Sequence, residues 1–146
     1  MDSGTLLIIG VVLLGMVFYI ITIKDNHNRL KNEGFSLKNR VFVHNYLGGH
    51  PDMGAPQKLA IICPKGDSLF ILFYPDGNII KHAEIGGEIP FSGVLNIFEE
   101  EPANFLIIEW KKEEVIHRTT FQFSVAATSA LATTRKKLLD IVRNQY

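Results

Sequence analysis

Gly66-Asp67-Ser68-Leu69 sets a serine hydroxyl directly behind a carboxylate, an arrangement that in acyl transfer would make Ser68 the nucleophile. A serine of this kind needs a base within hydrogen-bond reach and a third group to orient that base. The sequence places no base beside it. The string instead lies in a Pro-Lys-Gly-Asp turn between two apolar runs, and a turn is its expected role. His44, His50 and Asp52 offer nitrogen and oxygen donors on one glycine- and proline-rich stretch, but no second cluster completes a four-ligand metal set. The single cysteine, Cys63, can form neither an internal disulfide nor a zinc site, and its apolar neighbours suit a small buried hydrophobe. Glu99-Glu100-Glu101 reads as a solvated loop, because adjacent carboxylates do not converge by spacing alone. His117 shares a face with Phe121 and Phe123, the setting of a hydrogen-bonded boundary histidine. No P-loop, GxGxxG or HExxH string occurs. These residues point away from catalysis, and no cofactor or metal is expected.

The elements that would position them begin with an apolar run. Thr5 to Ile23 contains no charge, and as a helix it reaches roughly 28 Å, close to the hydrocarbon thickness of a bilayer. Apolar residues occur on every side of it, which suits lipid better than a globular surface. A cleaved secretory signal is the competing reading. Only Asp2 precedes the run, where a signal carries positive charge, and Phe18 to Ile23 holds no small-x-small cleavage site. The expectation is a permanent anchor over residues 1–23. Lys24, Arg29, Lys31, Lys38 and Arg40 all follow the run and no Lys or Arg precedes it. The positive-inside rule then places the C-terminal part in the cytoplasm of a cell whose plasma membrane is spanned once. Gly10 and Gly15 are spaced five apart, so they do not form the GxxxG pairing motif.

About 120 residues remain, enough for one core and a tether. The chain is formally neutral, and Val41 onward carries ten Lys/Arg against twelve Asp/Glu. That balance excludes the basic footprint of a nucleic-acid binder. Lys24 to about Arg40 is polar and without apolar period, and Val41 to Leu47 reads as ordered. Residues 24–45 are expected to be a juxtamembrane tether that continues the anchor as helix at its start. Gly48 to Pro56 breaks regular structure. Strands are expected at Lys58–Cys63, Leu69–Tyr74, Ile79–Ile85, Val94–Phe98, Asn104–Trp110 and Val115 to about Val125. Pro75-Asp76-Gly77 is a hairpin signal, and Gly86-Gly87 closes the third strand. Leu69 to Tyr74 is apolar at every position, so both of its faces should be covered. From Ala127 the period turns helical, with Leu131, Leu138, Val142 and Tyr146 near one face. The expected fold class is α+β: an antiparallel sheet or small barrel of about six strands, capped by a C-terminal helix that covers one face.

Tyr46-Leu-Gly-Gly-His-Pro51, Ile89-Pro-Phe-Ser-Gly-Val-Leu-Asn-Ile97 and a final Phe121-x-Phe123 strand running into Leu138 to Arg143 resemble the pleckstrin-homology-like superfold, in particular bacterial PH-like and GRAM-type domains. The resemblance covers residues 46–146. It implies a binding module for lipid, peptide or protein. Eukaryotic relatives bind inositol phosphates through a basic cluster in the first hairpin, whereas the corresponding turn here has Lys65 beside Asp67. The Ser68 string is that of the GDSL lipases and esterases, but no Asp-x-x-His block follows it in this chain.

The expectation assembled from these readings is a membrane-tethered, non-catalytic PH-like adaptor or scaffold for a protein partner at the membrane. It contacts the bilayer through residues 5–23 and no nucleic acid. The alternative is a small obligate subunit of a larger membrane complex, assembled through the anchor helix. In the fifth strand Leu106, Ile108 and Trp110 share one face, while Phe105 and Ile107 make the other apolar. Phe105, Ile107, His50 and Pro51 are therefore the candidate partner contacts. Ligand identity and oligomeric state are not readable from the sequence.

Overall fold

A computed structural model of the chain describes residues 3–124 and 128–144. Helix α1, Ser3–Asn32, is one uninterrupted helix that extends well past the apolar run. It has no proline, and its polar Thr22 hydroxyl donates to the Phe18 carbonyl one turn back, so the side chain adds no unpaired donor to the apolar stretch. The helix is long and apolar enough to cross a membrane, and its apolar window is uncovered by the rest of the protein.

Beyond α1 the chain forms two antiparallel sheets and a closing helix. The strands are β1 (Val41–Phe42), β2 (Asn45–Gly48), β3 (Gln57–Lys58), β4 (Ala60–Lys65), β5 (Ser68–Phe73), β6 (Glu84–Pro90), β7 (Val94–Glu100), β8 (Phe105–Lys112) and β9 (Val115–Gln122), followed by α2 (Thr128–Arg143). One sheet has the order β1-β4-β5-β6 and the other β3-β2-β9-β8-β7. The α+β class holds, but the expected six strands do not. The described residues form nine strands in two sheets, and no closed barrel. The excess comes from the long hairpin before Lys65, whose two arms each pass from one sheet to the other. Its arms break at Val43-His44 and at Leu59, which adopts φ +48°, and Leu59 N–H donates to the His44 carbonyl where they cross. Pieces of two to four residues are too short to show a period in the sequence.

Two further boundaries differ from expectation. Ile79 to Ile85 is not the return strand. Pro75–Gly77 is a 3-10 turn, the Asn78 side chain accepts the Ile80 N–H, and β6 starts only at Glu84. Gly86-Gly87 does not end that strand but lies inside it. The pairing with β5 shifts between Ile71 and Leu72, leaving Gly86 as the extra residue of a bulge. A Cβ on Gly87 would lie 2.6 Å from the His50 ring, so this glycine marks close packing rather than a strand end.

The core is split by the first sheet. Its inner side holds Ile62, Leu69, Ile71, Ile89, Ile97, Leu106, Ile108, Trp110 and Phe121, roofed by Leu131, Leu138 and Val142 of α2. The terminal helix thus packs on the sheets as its apolar stripe requires; Tyr146, Ala127 and Val125 lie outside the described residues. On the outer side Ile61, Cys63, Leu72 and Ala83 pack with Leu30 of α1 and with Phe35. Alternate residues of β5 enter the two cores, Leu69 and Ile71 on one side and Phe70 and Leu72 on the other, which explains why the strand is apolar at every position after Ser68. The outer cover comes from the segment expected to be a tether. Asn26 is buried and bridges two strands' worth of loop, donating to the Lys81 carbonyl and accepting from the Ala83 N–H, each at 3.3 Å. Arg29 donates to the Ala83 carbonyl from the next turn.

Candidate functional site

Three places on this scaffold gather side chains that could bind or react. The first is built around Trp110, which is fully buried and donates from Nε1 to Thr119 Oγ1 at 2.9 Å. Two imidazoles, His50 and His117, pack on its indole, each with ring centroids 5.1 Å away. His50 is 3% exposed. One ring nitrogen lies 3.0 Å from the Glu88 carbonyl, the other accepts the Asp52 N–H at 3.1 Å, and the His50 N–H donates to the Tyr46 hydroxyl at 3.0 Å. Burial pushes the His50 ring below the ordinary histidine value, against opposing pulls from the Glu88 bond and Asp52. With both nitrogens engaged, this histidine holds the Gly48 to Pro56 loop on the sheet and offers no free lone pair to a partner. Asp52 is tied to Lys112 at 3.2 Å, while Pro51 is exposed. Among the described residues no group of three or more metal-ligating side chains converges.

The second place is the Ser68 string. Gly66-Asp67 turns β4 into β5, with Gly66 at φ +59°. Ser68 is 2% exposed and donates to Glu88 Oε1 at 2.7 Å, and the Asp67 carbonyl accepts the Phe91 N–H. The hydroxyl's partners are carboxylates, Glu88 and at 3.4 Å Asp67, and the Glu88 bond pins the start of β5 to β6. Cys63 is equally enclosed. Its thiol is pushed up to about 11 by burial and lies 3.6 Å from the Ser36 carbonyl, far from the thiolate that nucleophilic chemistry uses.

The residues singled out on β8 separate. Ile107 is 7% exposed and so is buried, whereas Phe105 is partly exposed. The expected patch of two exposed apolar side chains thus reduces to Phe105. Phe105 is also remote from Pro51. The His50 stretch packs at Trp110, five residues along β8 and about 16 Å from Phe105.

The third place was not singled out in the sequence. Two concavities of about 280 and 190 Å³ adjoin one another and share Phe42, Ile61, Tyr74 and Ile79. The smaller is also lined by Ile23, Asn26, Leu30 and Arg40. Of the lining residues Phe42 is 61% exposed and Leu59 36%, and Ile80, which follows Ile79 in the chain, is 41% exposed. The Arg40 guanidinium stands 5.0 Å over the Phe42 ring. The only local signal of these concavities is the apolar doublet Ile79-Ile80 next to the Pro-Asp-Gly turn, which in isolation reads equally well as the start of a strand. A more polar cleft of about 550 Å³ lies at the other end of the sheet, between Gly34, Lys65 and the Lys136, Lys137 and Asp140 side of α2.

Compared with known proteins, the chain matches no family model and no curated sequence.

Proposed function

We propose that this protein is a single-pass membrane protein whose cytoplasmic PH-like domain is a non-catalytic adaptor or scaffold for a protein partner. The observation that carries the reading is the continuity of α1. One helix contains the apolar run and, within two turns of its end, buries Asn26 against the connection between β5 and β6 and Leu30 against the first sheet. Cleavage after the run would cut inside that helix, which favours an anchor over a signal. The five cations beyond the run favour a cytoplasmic domain. The PH-like reading draws support from the succession of antiparallel strands ending in a helix packed over the core. The carboxylate-bound Ser68 and the enclosed Cys63 favour a non-catalytic role. A tethered module needs only modest affinity, since confinement at the membrane raises its effective concentration, to about the millimolar range.

Co-purification from membranes in mild detergent tests the proposal. The full chain is compared with a form in which an unrelated spanning helix replaces Thr5 to Ile23, which keeps the tethering and leaves Leu30 and Phe35 over the outer core. Partners recovered by both forms support recognition by the domain. Partners recovered only by the full chain move the specific contact to the anchor and refute the adaptor. Phe105→Asp should abolish capture while preserving the folded domain, and retained capture removes Phe105 as the contact.

A further inference from the structure

The face of the domain beside the anchor carries its own signature. Ile23, the last residue of the apolar run, lines the same concavity as Phe42, Tyr74 and Ile79. Asn26, less than one helical turn further on, holds Lys81 and Ala83 through two hydrogen bonds. His82 lies beside Asp25, at 3.9 Å. The connection between β5 and β6 is therefore pinned at the level where the apolar run ends. From there α1 runs along the outer side of the first sheet towards the opposite end, where Gly34 meets Lys65. The sheet thus has an end near the apolar run and an end remote from it, separated by the length of β5, about 20 Å.

On the first sheet and its connections the exposed large apolar side chains, Phe42, Leu59, Ile80 and Ile85, lie at the near end, and Ile79 lines both concavities. Leu95, Val115 and Ile116 are exposed on the second sheet, away from α1 in the strand order. Arg40 stands over Phe42 and Lys81 follows Ile80, with Lys81 paired to Asp76 and Arg40 within 3.4 Å of His27. Long cationic side chains interleaved with aromatic and aliphatic ones suit the boundary between headgroups and acyl chains, where stems are buried and charged ends stay wet. The remote end has the opposite character: Gly66 and Asp67 at its turn are exposed and polar.

We propose that this rim, formed by Phe42, Leu59, Ile79 and Ile80, rests in the phospholipid interface of the membrane that α1 spans, so that the domain is docked on the bilayer in one orientation. The occupant is lipid because the rim continues the apolar surface of α1 without a gap at Ile23. A protein partner would have to reach into the headgroup layer to cover it. The proposal rests on the anchor reading above. Its consequence is that the polar cleft between Lys65 and α2 is presented away from the bilayer.

The test uses full-length protein in nanodiscs of phosphatidylcholine and phosphatidylglycerol. A polarity-sensitive thiol-reactive fluorophore is placed at Ile80→Cys, with Phe42→Cys as an independent position and Asp67→Cys as the remote control. Cys63 is retained because it is fully buried, and Trp110 emission verifies folding. The expected result is a blue-shifted label at positions 80 and 42 that lipid-borne doxyl groups quench and aqueous iodide does not, with the reverse at position 67. Iodide quenching at 80 and 42 equal to that at 67, in protein held by the nanodisc, overturns the docking and leaves the anchor intact. Labels at 80 and 42 shielded from both quenchers mean a protein cover and also overturn it. Failure of the full chain to enter nanodiscs overturns the anchor and the docking together.

Discussion

Leu30→Ala weighs the joint between α1 and the sheet most directly. Leu30 is 4% exposed and packs with Phe35, Ile61, Cys63, Leu72 and Ala83. Large-to-small changes at such sites cost about 2–5 kcal/mol, the spread reflecting how far the surroundings can settle into the space left behind. α1 lies on the outside of the sheet and can move toward it, so the lower part of that range applies, about 2.5 kcal/mol. In a domain of this size that lowers the unfolding midpoint by roughly 10 °C. Trp110 is the single tryptophan and is fully buried, so its emission follows the unfolding of the full chain in detergent micelles. Lys31→Ala, at the exposed next position, is the control and should stay within about 0.5 kcal/mol. A loose tether over residues 24–45 would make the two substitutions equivalent. A Leu30→Ala midpoint indistinguishable from that of Lys31→Ala would refute the docked helix and the outer core with it.

Two other outcomes follow from the buried titratable groups. His50 has its proton affinity lowered by burial, so between its folded value and the unfolded value near about 6.5 the unfolded chain holds the extra proton. Stability is therefore fully present above that unfolded value and is lost as pH falls through the lowered folded one. Urea midpoints measured across this window should fall more steeply for the native chain than for His50→Gln; parallel curves would show that another group is responsible. Cys63, with its thiol pushed up to about 11, should resist maleimide at neutral pH until the protein unfolds. Labelling of the native protein at the rate of a free thiol would contradict its enclosure.

Much of this architecture was legible as pattern. The charge-free run from Thr5 to Ile23 required a long exposed helix, because apolar residues on all sides leave no polar face to turn to water. The alternation in Phe121, Thr120 and Gln122 marked β9, and the helical spacing of Leu131, Leu138 and Val142 marked α2; these are periods of local geometry and need no partner to be read. Even the continuous apolar run in β5 announced that both faces of that strand are covered. What covers the second face was not written there. Asn26, Leu30 and Phe35 are too few and too irregular to form a stripe, and they become a core only where the sheet supplies Ile61, Cys63 and Leu72. The same holds for Gly87, whose role depends on a histidine 37 positions earlier in the chain folding against it, and for Ile107, buried by its tertiary surroundings though its strand pattern put it on an outward face. The exposed rim at Phe42 and Ile80 is the clearest case. Local sequence fixes which residues are apolar, but Phe42 and Ile79 meet Ile23 in one concavity only in the folded chain, where Asn26 closes a contact across 57 residues to Ala83. Non-local pairing of that kind has no period along the chain.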